Sequence, residues 1–182
     1  MAALKIRPVC CDYGALEDAS LRDALLEEAG AIQAIYAPYV TSTIISFEDV
    51  PPSPADMASR IRNTLDGGYP YLVAERDGTV LGYAYAGMHN ARAAYRGTVE
   101  TTVYVSKDHH AQGIGRALYE ALLTQLKSDG YRSALGIISL PNPGSVGIHE
   151  VFGFKPSGII REAGFKFGQW HDVGWWQKML RD

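Results

Sequence analysis

Apolar residues in this chain follow two rhythms, and the rhythm changes several times along its length. Steps of three and four residues link Leu21, Leu25, Leu26, Ile32 and Ile35 in "ASLRDALLEEAGAIQAIYAPYV". That is the spacing of one helical face, and it predicts a helix over 19–40. Ahead of it, "LKIRPV" reads as a short strand. "PPSPADMASRIRNTLDGG" predicts a second helix, with Ser53 as N-cap before Pro54 and Gly67 as the stop. "YPYLVAERDGTVLGYAYAGMH" holds two β-rich runs around Asp77-Gly78, a hairpin turn pair.

In the next strand, "GTVETTVYVS", alternation sends Val99, Thr101, Val103 and Val105 to one face and Thr98, Glu100, Thr102 and Tyr104 to the other. A helix then aligns Ile114, Leu118, Ala121, Leu122 and Leu126 and ends near Gly130. "SALGIISL" is almost wholly apolar, as a strand buried on both faces would be. "PNPGSVGIHEVFGF" is a short helix between turn residues, and "SGIIREAGFKFGQWHDVGWWQKML" reads as a long final hairpin. The sum is an α/β chain: antiparallel strands first, then a strand–helix–strand crossover expected to be parallel and right-handed.

Composition narrows the field without adding chemistry. At 182 residues, the chain is expected to form a single domain over 1–182 with a sizeable core. Net charge is −3 and no Lys/Arg run occurs, so nucleic acid is not an expected partner. Cys10 and Cys11 are neighbours, which suits neither a disulfide framework nor a spaced metal site. His109 and His110 lack a third ligand and are expected to shape a turn, so no metal is expected. The start lacks an apolar leader and no run approaches 18 apolar residues, which points to a cytoplasmic protein with no membrane partner.

Chemistry enters at "TVYVSKDHHAQGIGRALYEALL", where Gly113 and Gly115 stand between a strand end and a helix start. Such a turn exposes backbone N–H groups at the positive end of the helix dipole and suits a phosphate. A P-loop would close on Gly-Lys-Ser/Thr, which is absent. A dinucleotide fingerprint would need a small residue where Leu118 stands and an acidic residue after the next strand, and "ALGIISLPNP" has none. What fits is Gln112-Gly113-Ile114-Gly115-Arg116-Ala117, which resembles the Q/R-x-x-G-x-G/A pyrophosphate loop of the GNAT (GCN5-related) N-acetyltransferases. The flanks agree: "VYVSKDHH" resembles that family's splayed strand, Asn142 stands where the family often has an asparagine facing the coenzyme, and "HEVFGF" mirrors its Tyr-Glu-x-x-Gly-Phe ending.

"YAPYVTSTIISFE", "ARAAYRGTVETTVYVS", "LPNPGSVGIHEVFGF" and "WHDVGWWQ" further resemble, in order and spacing, the phosphinothricin and methionine sulfoximine N-acetyltransferases, from about Ile6 to Gln177. This resemblance implies the GNAT fold: a mixed, mostly antiparallel central sheet with a splayed strand pair and flanking helices. It implies acetyl-coenzyme A as cosubstrate, held by Val103, Tyr104 and Val105, by Ala111, Gln112, Gly113, Ile114, Gly115, Arg116 and Ala117, and by Asn142. It also implies a small amino acid acceptor (phosphinothricin, methionine sulfoximine or methionine sulfone) and a homodimer.

Acyl transfer to an α-ammonium needs a base. Glu100 is the candidate, a carboxylate on a strand where glutamate is disfavoured and which leads into the glycine loop. His149 takes the place of the family tyrosine that returns a proton to the departing thiolate, and a histidine can serve as acid or base. The sequence leaves their division of labour open. A backbone N–H near Tyr104 or Val105 is the expected donor to the thioester oxygen. The same resemblance implies an acceptor against Phe47, against Arg92, Ala93, Ala94 and Tyr95, and against Glu100, Thr101 and Thr102, with Arg92 suited to a two-point anion contact. Arg96 and Gly97 depart from many relatives and leave the acceptor itself open. Trp170, His171, Trp175 and Trp176 read as core or interface packing, with a wall of the acceptor cleft as the alternative. Two other functions stay in view: a protein lysine or N-terminal acetyltransferase, and an acyl-coenzyme A-binding module without catalysis.

Overall fold

The computed structural model describes residues 19–181; the expected first strand and the two cysteines lie outside them. Among the described residues, seven strands form one sheet: β1 (Ser20–Asp23), β2 (Tyr71–Arg76), β3 (Thr79–Met88), β4 (Thr98–Val105), β5 (Ser133–Leu140), β6 (Lys155–Lys166) and β7 (Gln169–Met179), in the order β1-β2-β3-β4-β5-β7-β6. Four helices accompany them: α1 (Ala29–Ser42), α2 (Pro54–Asp66), α3 (Ile114–Ser128) and α4 (Pro143–Val151). Every pairing is antiparallel except β4 with β5, which α3 joins in parallel.

The predicted helix over 19–40 is corrected at its first half. Ser20–Asp23 is an edge strand on β2, a 3-10 turn covers Leu26–Glu28, and only then does α1 begin. Helical spacing of Leu21, Leu25 and Leu26 loses here to strand pairing: Leu21 sits opposite Ala74, and the Arg22 guanidinium is shared by Glu28 and Glu75. The local punctuation holds elsewhere. Ser53 Oγ accepts from the Asp56 N–H at the start of α2, and the chain leaves that helix at Gly67. Asp77 and Gly78 both take positive φ, 50° and 76°, which a tight hairpin turn requires.

Alternation along β2 explains the two cores. Tyr71 and Val73 face α1 and α2, together with Ile32, Tyr36 and Ile61. Leu72 and Ala74 face the other way, against Ile114, Leu118 and Leu122 of α3. Each fully buried aliphatic side chain contributes about 1.5–3 kcal/mol, so these two stripes fix α1–α2 and α3 on opposite faces of the sheet.

The pairing of β4 with β5 is short. Thr98, Val99 and Glu100 pair with Ser133, Ala134 and Leu135, and then the strands part. Beyond that point β4 stays paired with β3 as far as Val105, and β5 stays paired with β7 as far as Leu140. The sheet therefore splits in the middle, just past Glu100.

Candidate active site

The glycine turn lies at the open end of the split. Gly113 adopts φ 82°, a left-handed conformation that glycine takes without strain, and it opens α3 with no side-chain cap. The first α3 amide bonded within the helix is that of Ala117, to Gly113 O. The N–H groups of Ile114, Gly115 and Arg116 thus remain as donors at the positive helix end. A Cβ on Gly115 would come within 3.3 Å of Val105, so the helix start sits tight against β4.

A cavity of about 440 Å³ runs from this turn along β4, walled by Val103, Tyr104, Val105, Gly113, Arg116 and Asn142 among others. A smaller one of about 90 Å³ continues it into the split, sharing Ile45, Val103, Tyr104, Asn142 and Ser145. Ala111, Ile114 and Gly115 also line the larger cavity, whereas Gln112 and Ala117 do not. Gln112 is exposed beside the turn, and Ala117 is buried in α3. Asn142 has a second task, since its Oδ1 accepts from the Ser145 N–H and caps α4.

His149 reaches the split from α4. It is 4% exposed, caged by Tyr119 and Phe154 at ring distances of 5.1 and 5.0 Å, and it covers Gly136, where a Cβ would fall 2.3 Å from the ring. Its Nδ1 lies 2.7 Å from Ser145 O; a carbonyl only accepts, so Nδ1 carries the proton. Burial holds this imidazole below the usual histidine range, against a smaller opposing effect of that bond. The ring is neutral at neutral pH, with the Nε2 lone pair free. Nε2 and Ser139 Oγ are both buried without a partner among the described residues, and both residues line the small cavity. A long, narrow cleft with an amide-rich anion cradle at one end and orphaned polar atoms at the other fits an extended cosubstrate with a phosphate-rich head.

Glu100 projects from the opposite face, as alternation predicts. Its Oε1 lies 2.9 Å from Nδ1 of His89, the residue after β3. Edge-to-face rings hold His89 on two sides: Tyr95 at 5.7 Å and Trp175 at 5.8 Å. Tyr95 closes a 3-10 turn, Ala93–Tyr95, so the expected acceptor segment and Glu100 are brought together through His89. Arg92, Ala93 and Ala94 are exposed beside them, and the Arg92 guanidinium has no bonded partner among the described residues. Thr102 shares the Glu100 face and lies opposite Tyr85 of β3. Thr101 does not, because its hydroxyl is buried 2.6 Å from Tyr119 Oη and 3.1 Å from Leu135 O, on the α3 side.

Phe47 sits where the loop between α1 and α2 meets the β6–β7 hairpin. Its ring occupies the place a Gly164 Cβ would fill, 2.5 Å away, and stacks on His171 at 6.2 Å. Lys166, at the hairpin tip, is 4% exposed and donates to the carbonyls of Val40, Ser46 and Glu48 at 2.6, 2.5 and 2.9 Å. All three ammonium protons are satisfied, and the loop carrying Phe47 is fastened to the hairpin. Of the four residues expected to pack, Trp176 is core and Trp170 is exposed at the tip, while Trp175 and His171 contact His89 and Phe47. Reading the sequence missed His89 and Lys166, and it gave Trp175 no contact with His89. Among the described residues, no group of three or more His, Cys, Asp or Glu side chains could hold a metal ion.

A split sheet with an amide cradle at the start of the central helix defines a class of acyl-transfer proteins, and the chain belongs to it: the family model "Acetyltransferase (GNAT) domain" matches residues 21–175. Among its relatives, the phosphinothricin N-acetyltransferase of Streptomyces viridochromogenes is 41% identical over 158 residues, covering 87% of this chain and 86% of that one. The L-methionine sulfoximine/L-methionine sulfone acetyltransferase of Pseudomonas aeruginosa is 36% identical over 163 residues, covering 89% and 95%. A solved phosphinothricin acetyltransferase from Sinorhizobium meliloti, in complex with acetyl-coenzyme A, superposes with a TM-score of 0.86 at 37% identity, covering 89% of this chain and 88% of that one.

Proposed function

We propose that the chain is an N-acetyltransferase that moves the acetyl group of acetyl-coenzyme A to the α-amine of a small amino acid analogue of the phosphinothricin, methionine sulfoximine or methionine sulfone kind. The observation that carries this reading is the position of Glu100 at the last paired rung before β4 and β5 part. A carboxylate there stands at the mouth of the split, opposite the neutral His149 that enters from the other face. Acetyl-coenzyme A, with its phosphates on the amides of Ile114, Gly115 and Arg116, supplies the acetyl group as a reactive thioester.

Two protons leave the nitrogen when an ammonium becomes an amide. One ends on the thiol and the other in solvent. Glu100 takes the proton from the ammonium, directly or through one water. His149 is kept neutral by burial and has Nδ1–H committed to Ser145, so it acts as a hydrogen-bond acceptor in the split rather than as the acid. Arg92 and Tyr95 meet the acceptor's anionic groups, with Phe47 and Thr102 as further walls.

The fastening of the Phe47 loop to the hairpin by Lys166 and Gly164 favours a small acceptor over a polypeptide, which needs an open groove. A non-catalytic module would have no use for Glu100 set at the split. The reading also takes 1–182 as one domain acting in the cytoplasm. It includes a homodimer, for which the exposed outer strand β6, with Ile159, Ile160 and Phe165, is an available edge; sedimentation at micromolar concentration would read the assembly.

The test is thiol release from acetyl-coenzyme A with the three acceptors, native chain beside Glu100→Gln. The native chain should turn over at least one acceptor, and the variant should lose about a hundredfold or more while still binding acetyl-coenzyme A. Failure of the native chain with all three acceptors, cosubstrate bound, would sink the acceptor class.

A further inference from the structure

This inference rests on Glu100 being the base of the proposed reaction. A glutamate has three rotatable side-chain bonds, and the Glu100 side chain is 37% exposed. A base that meets an ammonium must be held within about 0.5 Å of its working position, since an error of about 1 Å costs on the order of a hundredfold in rate. β4 does not supply that restraint. Thr98 and Thr102 share the Glu100 face, and neither is bonded to its carboxylate. The described side chain that does bond it is His89, through Nδ1 to Oε1 at 2.9 Å.

His89 is itself held. Its side chain is 20% exposed, and the edge-to-face contacts with Tyr95 and Trp175 come from two separate elements, the 92–95 turn and β7. Rotating the imidazole away from Glu100 would break both. The Trp175 indole N–H is buried without a partner among the described residues, and the Trp175 ring packs edge-to-face on His89.

We propose that His89 is a positioning residue whose Nδ1–H donates to Glu100 Oε1 and thereby aims Oε2 at the acceptor ammonium. An imidazole with Nδ1–H donates in its neutral and its cationic form alike, so the clamp does not require a particular protonation state of the ring. The groups facing His89 are Glu100 from β4, Tyr95 from the turn and Trp175 from β7. The segment expected to meet the acceptor is thereby tied mechanically to the base: a shift of Tyr95 or of β7 is felt at the Glu100 carboxylate.

Three variants separate a clamp from simple packing. His89→Phe keeps the ring and removes the donor. His89→Asn places an amide N–H near the Nδ1 position with no ring, and His89→Gln places one nearer the Nε2 position. The clamp predicts that kcat falls about tenfold or more for Phe and for Gln, and that Asn recovers most of it. Acceptor KM and acetyl-coenzyme A affinity should stay within about twofold of native. A packing role predicts the reverse ranking, with Phe best and Asn worst. Native turnover in His89→Phe, or Asn as poor as Phe, would overturn the proposal.

A second readout needs no acceptor. Nitrogen-15 NMR of the native chain should find His89 protonated at Nδ1 with a slowly exchanging proton, and Glu100→Ala should abolish that protection. A bare Nδ1 at neutral pH would overturn the clamp. If the native chain acetylates none of the three acceptors while this signature stands, the acceptor assignment fails and the clamp survives.

Discussion

The two walls of the split are made of different material. On the α3–α4 side, the cradle is backbone: a left-handed glycine, three free amides and a strand edge, all within 103–117. On the α1–α2 side, the wall is side chain: Phe47, His89, Tyr95, Glu100 and Trp175, drawn from five places along the chain and held by ring contacts and single hydrogen bonds. Backbone recognises what is constant in a ligand, here a phosphate-rich head, and depends little on side-chain identity. Side chains recognise what varies. The two walls should therefore fail separately.

Gly113→Val should break the first wall alone. A β-branched residue at φ 82° is strained by about 1–2 kcal/mol or more, which predicts an acetyl-coenzyme A Kd at least about tenfold higher; calorimetry reads it, with acceptor KM at saturating cosubstrate unchanged. Gly164→Ala should break the second wall. Its Cβ would meet the Phe47 ring at 2.5 Å, so the ring must move. Acceptor KM should rise about fivefold, on the order of 1 kcal/mol, with cosubstrate Kd unchanged. A variant that moved both constants together would dissolve the distinction.

The smallest effect belongs to His149, which bridges the walls. Its folded-state proton affinity is lowered by burial, so the unfolded chain binds the extra proton first as pH falls. The stability this contributes is complete above the ordinary histidine value of about 6.5 and is lost as pH drops through the lower, folded value. Melting temperature should fall by a few degrees between about pH 7 and pH 5. His149→Phe should flatten that slope, and an unchanged slope would mean that other groups set it.

The same contrast explains what could be read in advance. Ser53, Gly67, Asp77-Gly78 and Gly113 act on backbone within a few residues of themselves, so their effect is written locally, and the cradle was legible. Alternation placed Glu100 and Thr102 on one face and Thr101 on the other, yet only the structure shows Thr101 spent on Tyr119. The strand at Ser20–Asp23 was missed because its partner lies on β2, and the helical spacing of its leucines carries no trace of that pairing. His89 meets Glu100 across 11 residues and Trp175 from β7, and Lys166 meets Ser46 across 120. Such contacts are products of topology and leave no periodicity behind.

That last contact has a consequence for biosynthesis. A growing polypeptide emerges from its N-terminal end, so the loop bearing Phe47 is exposed long before Lys166 exists to fasten it. The elements of the cradle, β4 and α3, are both complete by Ser128. A ribosome-bound chain halted before Lys166 would carry the glycine turn and Glu100 while the loop bearing Phe47 hung unfastened. On the proposed reading of Phe47 as an acceptor contact, selectivity for the acceptor is the last property this protein acquires as it is made.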